Sequence, residues 1–199
     1  MDENRTLRIW ELALLLSICV ALLAGTWAGA RQEALADRLV RLHVIAASDS
    51  AADQAEKLRV RDAVLAYLSP KLSQAEESTE ARSILLAERS GIEQAARAVT
   101  AQRVTVTFTD EHYPTRSYGS FALPAGRYPS LRVILGSGAG HNWWCVVFPP
   151  LCTAERIDPD AVETLSENDV RLITEDGADC VIRFRILEWY DAVRSLFEG

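Results

Sequence analysis

The chain has 199 residues and a formal net charge of −7, with 21 Lys and Arg against 28 Asp and Glu. That length fits one domain with its own core, so folding needs no disulfide framework. The acidic balance speaks against a nucleic acid partner, because a phosphate-binding surface needs clustered Lys and Arg.

The N-terminus is set apart by composition. Leu12 to Ala30 is apolar except for Ser17 and Thr26; it follows Arg5 and Arg8 and stops at Arg31. These 19 residues are near the length that crosses a bilayer. They also have the parts of a signal peptide: a basic start, weakened by Asp2, Glu3 and Glu11, an apolar middle, and Ala28-Gly29-Ala30 as an A-x-A cleavage site. Residues 1–30 are therefore expected to be a signal peptide or an N-terminal membrane segment, touching the membrane through residues 12–30. Residues 31–199 are expected to form a single extracytoplasmic domain.

Leu39 to Ala46 predicts a first, largely buried strand. Ser48-Asp49-Ser50 follows as a turn and helix cap, with Asp53 in the place of the glutamate of a capping box. A helix is predicted to about Ser69, where Pro70 ends or bends it. Its apolar stripe is Ala51, Ala55, Leu58, Leu65, Leu68 and Leu72, and Gln54, Lys57 and Arg61 share another face. A second helix starts near Ser78-Thr79, buries Leu85, Ile92, Ala96 and Val99, and is weakened by Gly91. The period then changes to two, and Val104, Val106 and Phe108 mark a half-exposed strand.

Glu111 to Pro129, with three prolines, two glycines and four aromatics, reads as a long irregular but ordered segment, with a short strand around Tyr118 to Leu123. Leu131 to Leu135 and Trp143 to Phe148 read as a hairpin joined by the glycine loop Gly136-Ser-Gly-Ala-Gly140. Beyond Cys152 an acidic stretch suggests a helix over Asp158 to Asn168 and a strand over Val170 to Thr174. A last strand and short helix are expected between Cys180 and Phe197. These elements predict an α+β (or α/β) domain: one mixed sheet of about four to six strands, with two long helices after the first strand packed on one face.

The glycine loop lacks G-x-G-x-x-G spacing and precedes a strand, so it is not a phosphate cradle. Trp143 and Trp144 on a strand must point to opposite faces, one toward the core and one outward or under a cover. His43, His112 and His141 with Asp49 or Cys145 are the residues from which a metal site or a Cys–His pair would come, but H-E-x-x-H, C-x-x-C and G-x-S-x-G are all missing. No metal or cofactor is expected. Cys145 and Cys152 enclose six residues with Pro149-Pro150 between them, and they either form a disulfide or remain buried thiols.

Five segments together resemble the stage II sporulation protein R family. They are Arg41 to Asp49, Asp53 to Leu65, Tyr118 to Gly126, Leu131 to Gly136, and Gly140-His-Asn-Trp-Trp-Cys-Val-Val-Phe-Pro-Pro-Leu-Cys152. The resemblance implies an exported intercellular signal of sporulation. Such a protein crosses the forespore membrane into the intermembrane space. There it activates a membrane-embedded aspartic protease, the sigma-E factor processing peptidase, which cleaves pro-sigma-E in the mother cell. It implies a binder, not an enzyme, with no catalytic residue. The surface expected to meet the protease joins Ser48, Asp49, Gln54, Lys57 and Arg61 to His141, Asn142, Trp143 and Trp144, although Asp49 also suits a purely capping role. The competing class is an exported hydrolase or cell-wall-acting enzyme that uses Cys145 or His43.

Overall fold

The structure, a computed structural model, describes residues 3–118 and 122–151. The elements expected beyond Cys152 lie outside the described residues. The chain begins with helix α1 (Glu3–Asp37) and enters β1 (Val40–Ile45) after a two-residue link. Three helices follow: α2 (Ala51–Leu72), α3 (Ser78–Ala87) and α4 (Arg89–Arg97). Then come β2 (Val104–Tyr113), the short β3 (Arg116–Ser117) and β4 (Ala122–Leu123), β5 (Gly126–Leu135) and β6 (Asn142–Phe148).

Four of these strands make a mixed sheet in the order β2-β5-β1-β6, as the α+β reading predicts. The expected β5–β6 hairpin does not form, because β1 lies between the two strands. It runs parallel to β5, from Arg41↔Ser130 to Ile45↔Ile134, and antiparallel to β6, with Leu42 opposite Cys145 and His43 opposite Trp144. Every residue of β1 is buried, as expected of a strand with neighbours on both edges and cover on both faces.

The link from β5 to β6 must therefore pass over the exit of β1. Gly136 and Gly138 take φ of +54° and +65°, which favour glycine. A Cβ on Gly140 would stand 2.2 Å from the Ser48 carbonyl oxygen, so only glycine lets the two backbones approach this closely. Hydrogen bonds run from Gly140 N–H to Ala46 O at 2.9 Å and from Ala139 N–H to Ala47 O at 3.2 Å.

Helix α2 differs from expectation in its buried stripe. Val60, Val64, Leu65, Leu68 and Leu72 face the sheet, whereas Ala51, Ala55 and Leu58 are exposed. The stripe rises through Lys57, so the supposed polar face is the upward continuation of the core face. Pro70 does not stop the helix, which runs to Leu72. The expected second helix is two, divided at Glu88. That carboxylate accepts from the Tyr67 hydroxyl at 2.5 Å and the Lys71 ammonium at 3.0 Å, pinning the break to α2.

Residues 111–113 and 126–129 are also more regular than expected. β2 and β5 pair without interruption from Val104↔Leu135 to Tyr113↔Gly126. Pro129 is tolerated because β1 pairs with β5 only from Ser130 onward, leaving that stretch one neighbour.

Two cores result. On the helix side Leu42, Val44, Val106, Val133 and Cys145 pack under α2 to α4. On the opposite side the end of α1 supplies Leu35 and Ala36, which join Leu39, Tyr113, Tyr128, Leu123 and Val146.

Gly140→Ala should destabilise the domain by about 2–3 kcal/mol in urea melts, since a backbone carbonyl cannot yield as a side chain can. Leu68→Ala should cost about 2–5 kcal/mol, and Leu58→Ala much less, reporting the true stripe of α2.

Candidate functional site

The crossing of the glycine loop over β1 gathers residues far apart in sequence at one end of the sheet. The helix cap lies beneath the loop. Ser50 Oγ accepts from Asp53 N–H at 3.1 Å, as the capping pattern predicts. The reciprocal half of the box is absent: the Asp53 carboxylate accepts instead from the Ser48 hydroxyl and from Gln102 Nε2, the latter at 2.7 Å. These bonds, Ser48 first, hold the Asp53 carboxyl below its ordinary 3.8.

Asp49 reaches across to the loop. Its Oδ1 accepts from the His141 backbone N–H at 2.6 Å and from the His141 ring Nδ1. Those two bonds, the ring's first, hold the Asp49 carboxyl below its ordinary 3.8. Gln54 Nε2 donates to Ser48 O at 2.9 Å. Lys57 is 5 % exposed, and its ammonium donates to Gln54 Oε1 at 2.7 Å and to His141 O at 3.0 Å. Burial pushes its pKa below 10.5. Asp49 and Lys57 thus clamp His141 through its N–H and its carbonyl.

Six predicted site residues, Ser48, Asp49, Gln54, Lys57, Arg61 and His141, are therefore drawn together with Trp143 at one pole. They do not share one role. Lys57 is a buried brace, its ammonium held by Gln54 and the His141 carbonyl. Asp49 braces the loop and does not cap the helix. His141, Asn142 and Trp143 are exposed. The Trp143 ring lies against the Arg61 guanidinium at 4.3 Å, and Arg61 also pairs with Asp62 at 2.6 Å.

Trp144 leaves this group for the other face, as alternation requires. It packs edge-on to His43 and Tyr113, with ring centroids at 5.6 and 5.8 Å, and the Arg116 guanidinium lies 4.0 Å above it. His43 Nδ1 donates to Glu111 at 3.0 Å, and Glu111 pairs with Arg132 at 3.2 Å. Arg41 is fully buried over the Tyr113 ring at 3.9 Å and donates to the Tyr118 hydroxyl. Tyr113 and Tyr118 are both pushed above 10.0, chiefly by burial. Sequence reading missed this layer. Its signal was the alternation of β2, which continues past Thr109 and puts Glu111 and Tyr113 on the face of Arg41 and His43.

The Cys145–His43 pair of the hydrolase reading does not assemble. Cys145 stands opposite Leu42 on the helix face, His43 opposite Trp144 on the other. Cys145 is also disulfide-bonded, so it carries no thiolate. Its partner, and so the expected Cys145–Cys152 bridge, lies outside the described residues. Among the described residues no group of three or more His, Cys, Asp or Glu is placed to hold a metal ion.

An exposed apolar helix, compatible with a signal peptide or a membrane anchor, leads into an α+β domain with a braced polar and aromatic loop at one pole. The family model described as stage II sporulation protein R matches residues 36–158. Stage II sporulation protein R of Bacillus subtilis (strain 168) is 32% identical over 181 residues, covering 77% of this chain and 80% of that protein. The chain belongs to the stage II sporulation protein R family. No solved structure matches it.

Asp49 stabilises the fold only while ionised. Because its folded pKa lies below 3.8, that contribution is present above about pH 4 and is lost as pH falls through the folded value. Asp49→Asn should flatten this part of the acid limb in urea melts between about pH 2 and 6.

Proposed function

We propose that this chain is an exported signal of sporulation. In this reading it binds the extracytoplasmic side of a membrane-embedded aspartic protease, the sigma-E factor processing peptidase, and shifts it toward an active state that cleaves pro-sigma-E. Family membership supports the sporulation role. The apolar N-terminal helix supports passage to, or attachment at, a membrane. The observation that carries the binding reading is the pole itself. His141, Asn142 and Trp143 are exposed on a loop whose backbone is clamped by Asp49 and Lys57.

A preorganised loop loses little entropy when a partner meets it, so its contact energy is kept for binding. A half-exposed tryptophan backed by an arginine has the composition of a hot spot. A binder activates an enzyme only through higher affinity for the active state, so the contact must be stronger there.

The test is reconstituted pro-sigma-E cleavage with folded variants. Trp143→Ala should weaken activation about 30-fold, the equivalent of about 2 kcal/mol. His141→Ala and Asn142→Ala should each weaken it less, and Leu86→Ala on exposed α3 should leave it unchanged. Wild-type activation by all three pole variants removes the pole from the contact. Lys57→Glu is unsuitable, since it would bury a carboxylate beside the His141 carbonyl and damage the loop itself.

A further inference from the structure

We propose that α1 is retained as a membrane anchor, and that α1 and β1 act as one strut. The strut holds the pole of His141 and Trp143 away from that membrane, toward a protein presented from a facing surface. The last clause rests on the proposed function; the anchor and the strut do not.

The helix has the dimensions of a span. Trp10 and Trp27 are both exposed and lie 17 residues apart. At 1.5 Å per residue that is about 26 Å, close to the hydrocarbon thickness of a bilayer. Tryptophans at both ends form the interfacial belt of a spanning helix. Between them Glu11 is the single charge, one residue inside Trp10.

The A-x-A position also sits in unsuitable backbone. α1 is continuous through Ala28, Ala30 and on to Asp37, and Arg31 lies over the Trp27 ring at 5.2 Å, bridging the Ala30–Arg31 bond. A peptidase needs extended chain there. The helix is held beyond it by fully buried Leu35, and the Asp37 carbonyl accepts from the Ser78 hydroxyl and from Arg82.

The direction of the strut follows from contacts. A Cβ on Gly126 would stand 1.9 Å from Gln32 Nε2, so the start of β5 lies beside residue 32. The chain enters β1 at Val40, and β1 starts level with Ser130 of β5. Advancing along α1 from residue 32 thus advances along β5 from residue 126. Helix, β1 and β5 all point the same way. β1 adds about 20 Å for its six residues before the Ser48–Asp49 turn. The pole is therefore at the end of the domain opposite the helix.

Two measurements on the full chain decide this. Mass spectrometry of the chain recovered from membranes should give the intact polypeptide; a soluble product beginning at Arg31 overturns the anchor. For the strut, Cys19→Ser carrying either Arg127→Cys or Asn142→Cys is labelled with a fluorophore and inserted in phosphatidylcholine vesicles with a headgroup quencher, and the signal of labelled Cys19→Ser alone, which reports the odd thiol among Cys145, Cys152 and Cys180, is subtracted from both. The label at position 127 should lose most of its emission and the label at 142 should keep it. Equal quenching of both overturns the strut. Failure to activate the protease, with both results as expected, would count against the proposed function and leave this inference standing.

Discussion

Most of this structure depends on one strand having two neighbours that follow each other in the chain. β1 is inserted between β5 and β6, so the link joining them has to cross its exit. That crossing explains the glycines at 136, 138 and 140: the first two take positive φ, and a Cβ on the third would meet the Ser48 carbonyl. It also brings the Ser48–Asp49 turn under the loop, and the carbonyls of Ala46 and Ala47 are satisfied by loop N–H and hydroxyl groups rather than by water. The polar network of Asp49, Gln54 and Lys57 follows from that arrangement. Lys57 is tolerated in a buried position because its ammonium finds two acceptors there, one of them the crossing chain itself.

The two faces of β1 solve burial differently. The helix face is aliphatic and closes by packing. The other face carries Arg41 and His43, which must be desolvated with partners. Arg41 is met by electron-rich tyrosine rings, an attraction worth about 2 kcal/mol when water is excluded. Burial keeps Tyr113 and Tyr118 in their neutral form. The Glu111 carboxylate stands between the His43 ring and the Arg132 guanidinium, so the negative charge of this layer is placed where two donors share it. Trp144 closes the layer at the edge strand, while its neighbour Trp143 is left outward beside Arg61.

Local patterns in the sequence were sufficient for much of this. Ser50 reads as a helix cap because its side chain and the Asp53 N–H are only three residues apart, and tandem tryptophans on a strand have to diverge. The co-location of Asp49, Lys57 and His141 was also legible, through the resemblance of their segments. What was not legible depended on partners distant in the chain. Leu135 and Trp143 look like two arms of a hairpin until β1 is known to lie between them. Lys57 looks like a solvated face until the loop covers it. Residues 111–129 look irregular by their prolines and glycines, yet β5 offers a ladder that Glu111 and Tyr113 can join. Pro70 is a strong local stop signal, overridden where Leu72 packs into the core.

The place where α1 meets the domain has a wider meaning. Residues 32–39 fill the space beside the overhanging start of β5, where β1 has not yet begun, so Leu35, Ala36 and Leu39 belong to the folded body while the large apolar side chains from Ile9 to Trp27 are exposed. The edge of the folded body thus lies just past the Ala28-Gly29-Ala30 sequence. If α1 is the proposed anchor, one peptide bond at that point separates a tethered form from a diffusible one, and Leu35, Ala36 and Leu39 stay with the folded body in both.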